Sequence, residues 1–455
     1  MKEKHLTNYR LTPSVVKINT PTEITITALG ENTAFIDGLE YELQIWGTET
    51  AMDSLDGPKV ERMILKPTDG KLSFMYSFPA EQQYSLKLIQ PQELCNYYLA
   101  RYKERYHSAC PKKNFPAPNT VLSLYCLQED LYETTAYKGD LHLHSFDSDG
   151  RESKENVMAN LKKAGYDFAA LTDHYWYQSS VEVKEIFEGF PDIFTFLPGE
   201  EVHMEHEYIH SAVIGGHESV NSHYYENREQ CDAEIRALED SLDIPEGVDR
   251  HNFACRYWVA AKAKEFGAMP ILSHPYWIWE DVYFMSTAIT QALFEHGNYE
   301  AFELLNGGCG RETNTLQTAF YFEERAKGFD MPIVGSSDAH VTDRKYDSLP
   351  TSAYTVLFAK DRSWKSIREA ILDKRSVAVE HYENDENFRL YGDFRMVKYA
   401  NFLLLNYYPD YINLCHEQGN LMKEYARTKD PQIAEIAEKL KTRSDAYTDA
   451  FFGRK

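Results

Sequence analysis

From Tyr137 onward the chain repeats one pattern: a short apolar run with histidine or carboxylate at its end, followed by a stretch of helical periodicity. The runs are GDLHLH, FAALTDH, FTFLPGEEV, HSAVIGG, MPILSHP, YEAFELLN and MPIVGSSD. Between them lie patterns such as SKENVMANLKKAGY, where Ser153 reads as an N-cap and Gly165 as the stop, and CRYWVAAKAKEFG. Strand and helix in alternation predict an α/β domain with a parallel sheet. Seven such strands come close to what a barrel needs. YTVLFA, WKSIREAILDK and SVAVE supply a last strand, helix and strand, so the barrel is expected over residues 134–385.

The polar residues gather where those strands end. His142 and His144 close the first, with Asp149 in the loop that follows. Asp173 and His174 close the second, Glu200 and Glu201 the third, and Ser273, His274 and Pro275 the fifth. Asp338, Ala339 and His340 follow Ile333, and His210 opens the strand after Glu201. In a parallel barrel those ends meet at one face, where sites are assembled from several strands. Residues two apart on a strand point the same way, so His142 and His144 can hold one ion together, and Asp338 and His340 repeat the spacing. Imidazole mixed with carboxylate suits Zn, Mn or Fe better than Ca or Mg. The supply exceeds one tetrahedral site, so two or three divalent transition metal ions are expected. A single histidine at a strand end is more often a hydrogen-bonded structural residue. Nine such residues at the ends of six strands are not explained by packing.

The flanks read differently. Through about residue 133 the chain alternates with period two, as in TEITITAL (Ile24, Ile26, Ala28), LEYELQIW (Leu39, Tyr41, Leu43, Ile45), KLSFMYSF (Leu72, Phe74, Tyr76, Phe78), YSLKLI and TVLSLYCL. Short strands with one wet face predict an antiparallel β-sandwich over 1–133. Residues 386–455 carry helical periodicity and no chemical motif, which predicts a C-terminal helical segment packed on the barrel or on a second copy in a homo-oligomer.

Composition narrows the partners. Lys and Arg number 48 against 71 Asp and Glu, so a net charge of -23 repels long nucleic acid. No run of about 18 apolar residues suits a membrane span, and the start MKEKHLTNYR lacks the apolar core of a secretory signal. Seven scattered cysteines without a CxxC pair fit a reducing cytoplasm. The expected partner is a small-molecule substrate. No GxSxG elbow or Walker loop is present, and Ser336 and Ser337 read as turn residues.

The ordered motifs DLHLHS with the later SDG, LTDH, PGEEV, IHSAVIGG, LSHP and GSSDAH resemble the polymerase and histidinol phosphatase (PHP) superfamily of metal-dependent hydrolases, from Lys138 to about Val377. The resemblance implies a distorted (β/α)7 barrel with a trinuclear metal centre. Its implied ligands are His142, His144, Asp149, His174, Glu201, His210, His274, Asp338 and His340. It implies His142, His144, Glu201 and Asp338 on one ion, Glu201, His210 and His274 on a second, and Asp149, His174 and His340 on a third. Spacing alone leaves Glu200 and Glu201 open; the family pattern selects Glu201, leaving Glu200 beside the ligands or at the surface. YKGDLHLHSFDSDG and ELLNGG with an N-terminal β-domain resemble the carbaryl-hydrolase-like branch.

On this reading Glu201, Asp338 and His340 are the catalytic members, and Arg311, Arg344, Asn306 and Tyr175 contact substrate, with Trp176, Tyr276 and Trp277 as further lining. Asp173 orients a ligand, and His203 and His206 are solvated loop histidines. The expected activity is a phosphoesterase acting on a small phosphomonoester or phosphodiester through a metal-activated water. The alternatives are a carbamate, ester or amide hydrolase with the same metals, and a non-catalytic metal-binding regulator.

Overall fold

The computed structural model describes residues 8–30, 34–49, 59–91, 119–204, 209–343, 351–382 and 385–454. The fold is mixed α/β with a helical C-terminus, and contacts divide it into two units. One unit comprises residues 1–133, 402–407 and 445–455; the other comprises 134–401 and 408–444.

The first unit holds strands β1 (Tyr9–Thr12), β2 (Val15–Lys17), β3 (Thr22–Ala28), β4 (Tyr41–Gly47), β5 (Glu61–Leu65), β6 (Lys71–Tyr76), β7 (Gln82–Ile89) and β8 (Asn119–Leu127). They form a sheet of order β1-β3-β6 and another of order β2-β8-β7-β4-β5. The period-two pattern fixes which side chains turn inward. Ile24, Ile26, Leu72 and Phe74 from the first sheet share one core cluster with Tyr41, Leu43, Ile45, Leu86 and Leu124 from the second. Ala28, Leu39 and Tyr76, expected on those inner faces, are only partly buried against the cluster. Pairing departs from the antiparallel expectation at β2, which runs parallel to β8. The two stretches of the helical tail that belong to this unit pack within it: Ser14 donates its backbone N–H to Phe451 O at 2.8 Å, and the Phe402 ring lies 5.3 Å from that of Tyr125.

The second unit continues with β9 (Thr135–Asp140), β10 (Phe168–Ala170), β11 (Thr195–Leu197), β12 (Gly199–Met204), β13 (Ile209–Ile214), β14 (Met269–Leu272), β15 (Ile278–Trp279), β16 (Val282–Tyr283), β17 (Ala301–Asn306), β18 (Ile333–Ser336), β19 (Ala353–Ala359), β20 (Ser376–Glu380) and β21 (Arg389–Tyr391). Two sheets carry most of them, of order β11-β10-β9-β19-β20-β21 and β12-β13-β14-β17-β18; β15 and β16 form a separate hairpin. The strands β10, β14, β17, β18, β19 and β20 are buried along their whole length. That is the mark of sheet covered on both faces, and it is why their sequences are apolar runs without alternation.

Strand sense is mixed where a parallel sheet was expected. β13 is antiparallel to both β12 and β14, and β19 is antiparallel to both β9 and β20. FTFLPGEEV, read as one strand, is two: β11 and β12 belong to different sheets on either side of Pro198, whose nitrogen cannot donate to a ladder. Among the helices, Lys154–Lys163 starts after Ser153 and stops at Gly165, which has φ +80°. Arg250–Glu265 starts at Asp249, whose side chain accepts from Asn252 N. The tail forms helices Phe394–Asn406, Tyr408–Thr428 and Pro431–Phe452. Gly419 lets the middle one lie against Lys154–Lys163, since a Cβ there would fall 2.4 Å from Ala159 O. No described helix is long and apolar enough to cross a membrane.

The first ligand-bearing strand depends on one missing side chain. A Cβ on Gly139 would lie 1.9 Å from Cζ of the fully buried Phe168 ring on the neighbouring strand. Gly139→Ala is therefore expected to destabilise the second unit by about 1–3 kcal/mol through overpacking. A lower urea midpoint at unchanged slope checks this, and an unchanged midpoint would contradict the packing.

Candidate metal centre

Backbone pairing beyond the strand ends assembles the site. After β9, Leu141 and Leu143 turn into the core while His142 and His144 take the opposite side, as period two requires. This extension runs parallel to residues 338–340. Asp338 donates its backbone N–H to His142 O at 2.9 Å, and His144 donates its own to Ala339 O at 3.1 Å. Asp140 Oδ1 ties the two segments together by accepting from His142 N at 3.2 Å and Ser337 N at 3.1 Å. Glu201 on β12 bridges to His174, and its N–H reaches Thr172 O at 3.0 Å. His210 lies on the adjoining strand β13, and His274 follows β14. Asp338, His274 and Tyr175 have φ of +50°, +26° and +59°. Residues with side chains adopt this region uncommonly, Asp and His more readily than most.

Glu201 is at the centre, 1% exposed. Its Oε2 lies 3.0 Å from His142 Nε2, 3.4 Å from His144 Nε2 and 3.3 Å from His174 Nδ1. Its Oε1 lies 3.1 Å from His210 Nδ1 and 3.1 Å from His274 Nε2. Asp338 Oδ1 joins the Oε2 side, 3.5 Å from His142 Nε2 and 3.0 Å from His144 Nε2. Toward solvent, Asp149 Oδ2 lies 3.1 Å from His340 Nε2 and 3.7 Å from His174 Nε2, and Asp149 Oδ1 lies 3.7 Å from His144 Nδ1. All nine expected ligands are thus brought together.

The donor set fits metal ions. His142 Nε2, both nitrogens of His144, His174 Nδ1, His274 Nδ1 and Asp338 Oδ1 are buried and make no hydrogen bond. Buried polar atoms left without a hydrogen-bond partner are costly, and a cation satisfies those that crowd the Glu201 and Asp338 carboxylates. Bonds of about 2.1 Å give ligand-to-ligand edges of about 3.0–3.4 Å, the spacing found around Glu201. The groups His142–His144–Glu201, Glu201–His210–His274 and His144–Asp149–His174–His340 each place their donor atoms within 4.8 Å of one another. The tautomers are also set. His142 Nδ1 lies 2.9 Å from Glu303 Oε1, and His340 Nδ1 lies 3.0 Å from the carbonyl of Asp338. Donation there leaves each Nε2 lone pair for an ion.

Without metal, protons balance the charge. Burial would lower His144, yet Asp338 and Glu201 raise it to about 10, and His142 and His274 are raised against burial by their carboxylates. Burial likewise works against ionisation of Glu201 and Asp338, but the surrounding imidazoles, His142 foremost, pull both well below the usual carboxylate range. His174 is lowered to about 4 by burial and is neutral at pH 7.

Glu303 was not anticipated. Fully buried on β17, it faces His142 and also accepts from His274 N at 3.1 Å and from Asn306 Nδ2 at 3.0 Å through Oε2. The sequence signal was a glutamate inside the apolar run AFELLN, since acids are almost never fully buried unless paired. Asn306, expected to contact substrate, is fully buried instead. Its Nδ2 donates to Glu303 and to Asp338 Oδ2, and its Oδ1 accepts from Cys309 N. Asp173 holds the loop that carries Asp149 by accepting from Ser145 N, Ser145 Oγ, Ser148 Oγ and Ser179 Oγ. Glu200 points to the other face of β12, where Ser219, Val220 N and Asn221 bind it.

The remaining expectations divide. Arg311 pairs with Asp385 and lies 3.9 Å from Glu380, with its charge engaged there. Tyr175 is 40% exposed, its ring 4.6 Å from that of His203. Tyr276 is core, whereas Trp277 stands 5.8 Å from His274 and 6.0 Å from His210. His203 is not a solvated loop residue: it is half-buried on β12 with its ring 4.6 Å from that of His210. Arg344 and His206 lie outside the described residues.

No family model matches the chain, and no curated protein matches it. Among solved structures, the chain is similar to a two-domain protein from Bacteroides vulgatus containing a predicted PHP-like metal-dependent phosphoesterase. Identity is 23% at a TM-score of 0.38, covering 55% of this chain and 66% of that one, just under two thirds of its length. It is also similar to an amidohydrolase from Chromobacterium violaceum, at 18% identity and a TM-score of 0.32, covering 47% of this chain and 89% of that one.

Metal binding at pH 7 competes with the protons that the neighbouring carboxylates hold on His144 and His142, so uptake by metal-free protein is expected to release protons. Calorimetry in buffers of different ionisation enthalpy checks this, and a heat independent of buffer would contradict it. Glu303→Gln is expected to weaken metal affinity about 10–100-fold by loosening His142, read by competition with a chelating indicator.

Proposed function

We propose that the chain is a metal-dependent hydrolase on a distorted (β/α)7 framework of PHP kind, and that its substrate is a small phosphomonoester or phosphodiester. The observation that carries this reading is the division of Glu201, whose two oxygens face separate sets of imidazoles. A carboxylate so placed suits a bridge between two cations. His142, His144, Glu201 and Asp338 would hold one divalent ion, Glu201, His210 and His274 a second, and Asp149, His174 and His340 a third, with Zn, Mn or Fe the fitting elements. Bound there, such ions supply water of lowered pKa and neutralise charge developing on the substrate's oxygens.

The chain's own residues provide the rest. Glu303 and Asn306 hold His142 and Asp338 in place through buried hydrogen bonds, which fixes the donors before substrate arrives. Phe284 packs 4.9 Å from the His210 ring and 5.7 Å from that of His274, so with Trp277 it shields this side from water. Asp149 and His340 are the most exposed of the nine, at 54% and 35% of their side chains, and so stand where a substrate enters. An outer cationic position beyond a buried pair suits a phosphoryl group, which presents several anionic oxygens at once.

A carbamate, ester or amide hydrolase is the second reading. The exposed Tyr175 and Trp176 immediately after His174 favour it, because they offer apolar area to a neutral leaving group. Turnover of p-nitrophenyl phosphate, bis-p-nitrophenyl phosphate and 1-naphthyl N-methylcarbamate, each with and without chelator, separates the readings. Chelator-sensitive cleavage of a phosphate ester is expected; cleavage of the carbamate alone supports the second reading, and no turnover supports a regulator.

Glu201→Gln is expected to lower metal content to fewer than two ions per chain and activity by on the order of 10²-fold or more. His340→Ala is expected to keep the two inner ions while also losing most activity. Elemental analysis beside the assay checks both, and full activity at unchanged metal content in Glu201→Gln would contradict the bridging role.

A further inference from the structure

Outside the nine residues, one more imidazole reaches the centre. His203 sits on β12 two residues beyond Glu201, so it shares that residue's face of the strand. It is also the direct cross-strand partner of His210 on β13. Its ring lies 4.6 Å from that of His210 and 5.7 Å from that of His174, and the rings of His174 and His210 are 5.0 Å apart. His174, His203 and His210 each bring a donor nitrogen within 4.8 Å of the others, and all three are half-buried. The backbone of His203 is held by its N–H donating to Asn221 Oδ1 at 3.1 Å.

We propose that His174, His203 and His210 form a rim position for a divalent transition metal, through which ions pass on their way to the inner centre. The proposal rests on the inner residues being metal ligands. Its donors are three imidazoles with no carboxylate, a set that takes Zn, Co or Ni in preference to Ca or Mg. Each inner group contains at least one carboxylate. Two of the three rim ligands are shared with the inner centre: His210 Nδ1 lies 3.1 Å from Glu201 Oε1, and His174 faces Glu201 through Nδ1 and Asp149 through Nε2. Sharing these two residues makes the rim an exchange position, not an extra permanent one. An ion held there by neutral ligands is drawn inward by the anionic carboxylates, and the same histidines accompany it.

The test uses the full chain stripped of metal. Uptake of limiting Co²⁺ is followed by its visible absorption after rapid mixing, and final content by elemental analysis. His203→Ala and the size-preserving His203→Gln are compared with wild type and with His217→Ala, a histidine outside the cluster. Both His203 variants are expected to take up Co²⁺ about tenfold more slowly, the scale on which loss of a metal-site partner is felt, and to reach the same final content. His217→Ala is expected to match wild type. Unchanged uptake rates overturn the proposal, as does a lower final content in His203→Gln with unaltered melting, which would make His203 a resident ligand. Wild-type protein that binds no Co²⁺ would overturn the inner centre itself, and the proposal with it.

Discussion

A buried carboxylate surrounded by five imidazoles is the interaction from which the rest of the site follows. Glu201 is removed from water, and an isolated charge there would be prohibitively costly. The structure meets that cost with nitrogen donors from the segments after β9, β10 and β14 and from β13. Several of those nitrogens face the carboxylate outside hydrogen-bond geometry, so proton sharing alone does not satisfy them. Divalent cations would, and around the donors Glu303 and Asn306 make a second ring of buried contacts to His142 and Asp338 instead of facing solvent.

Convergence of the donors depends on strand sense. Mixed pairing lets β12 and β13 run antiparallel, which puts Glu201 and His210 on adjoining strands and brings His203 beside His210. The parallel run of 142–144 beside 338–340 brings in Asp338 and His340. Left-handed backbone at His274 and Asp338 turns those two side chains off the strand line.

Much of this was legible in the sequence for a simple reason. Ligand pairs two apart, as in His142 and His144, announce a shared strand face, and apolar runs ending in acids and histidines announce where strands stop. The inner faces of β3, β4 and β6 followed from period two in the same way. What periodicity cannot carry is partner choice. Strand sense at β13 and β19 is set by which neighbours they pair with, which period two does not specify, and Pro198 marks the point where one apolar run divides between two sheets. Glu303 escaped because a lone acid in AFELLN does not reveal which buried base it meets, and His203 because only the β12–β13 register brings it to His210. Asn306 and Arg311 lie close to the motifs in sequence, but their polar groups are already engaged within the fold.

The claim that Glu201 joins two cations is tested most directly by anomalous diffraction at the metal absorption edge on crystals grown from metal-loaded protein. The account predicts two or three peaks within this cluster, with one on the Oε1 side of Glu201 near His210 and His274 and another on the Oε2 side near His142, His144 and Asp338. A single peak, or peaks that leave the Glu201 carboxylate uncoordinated, would contradict it.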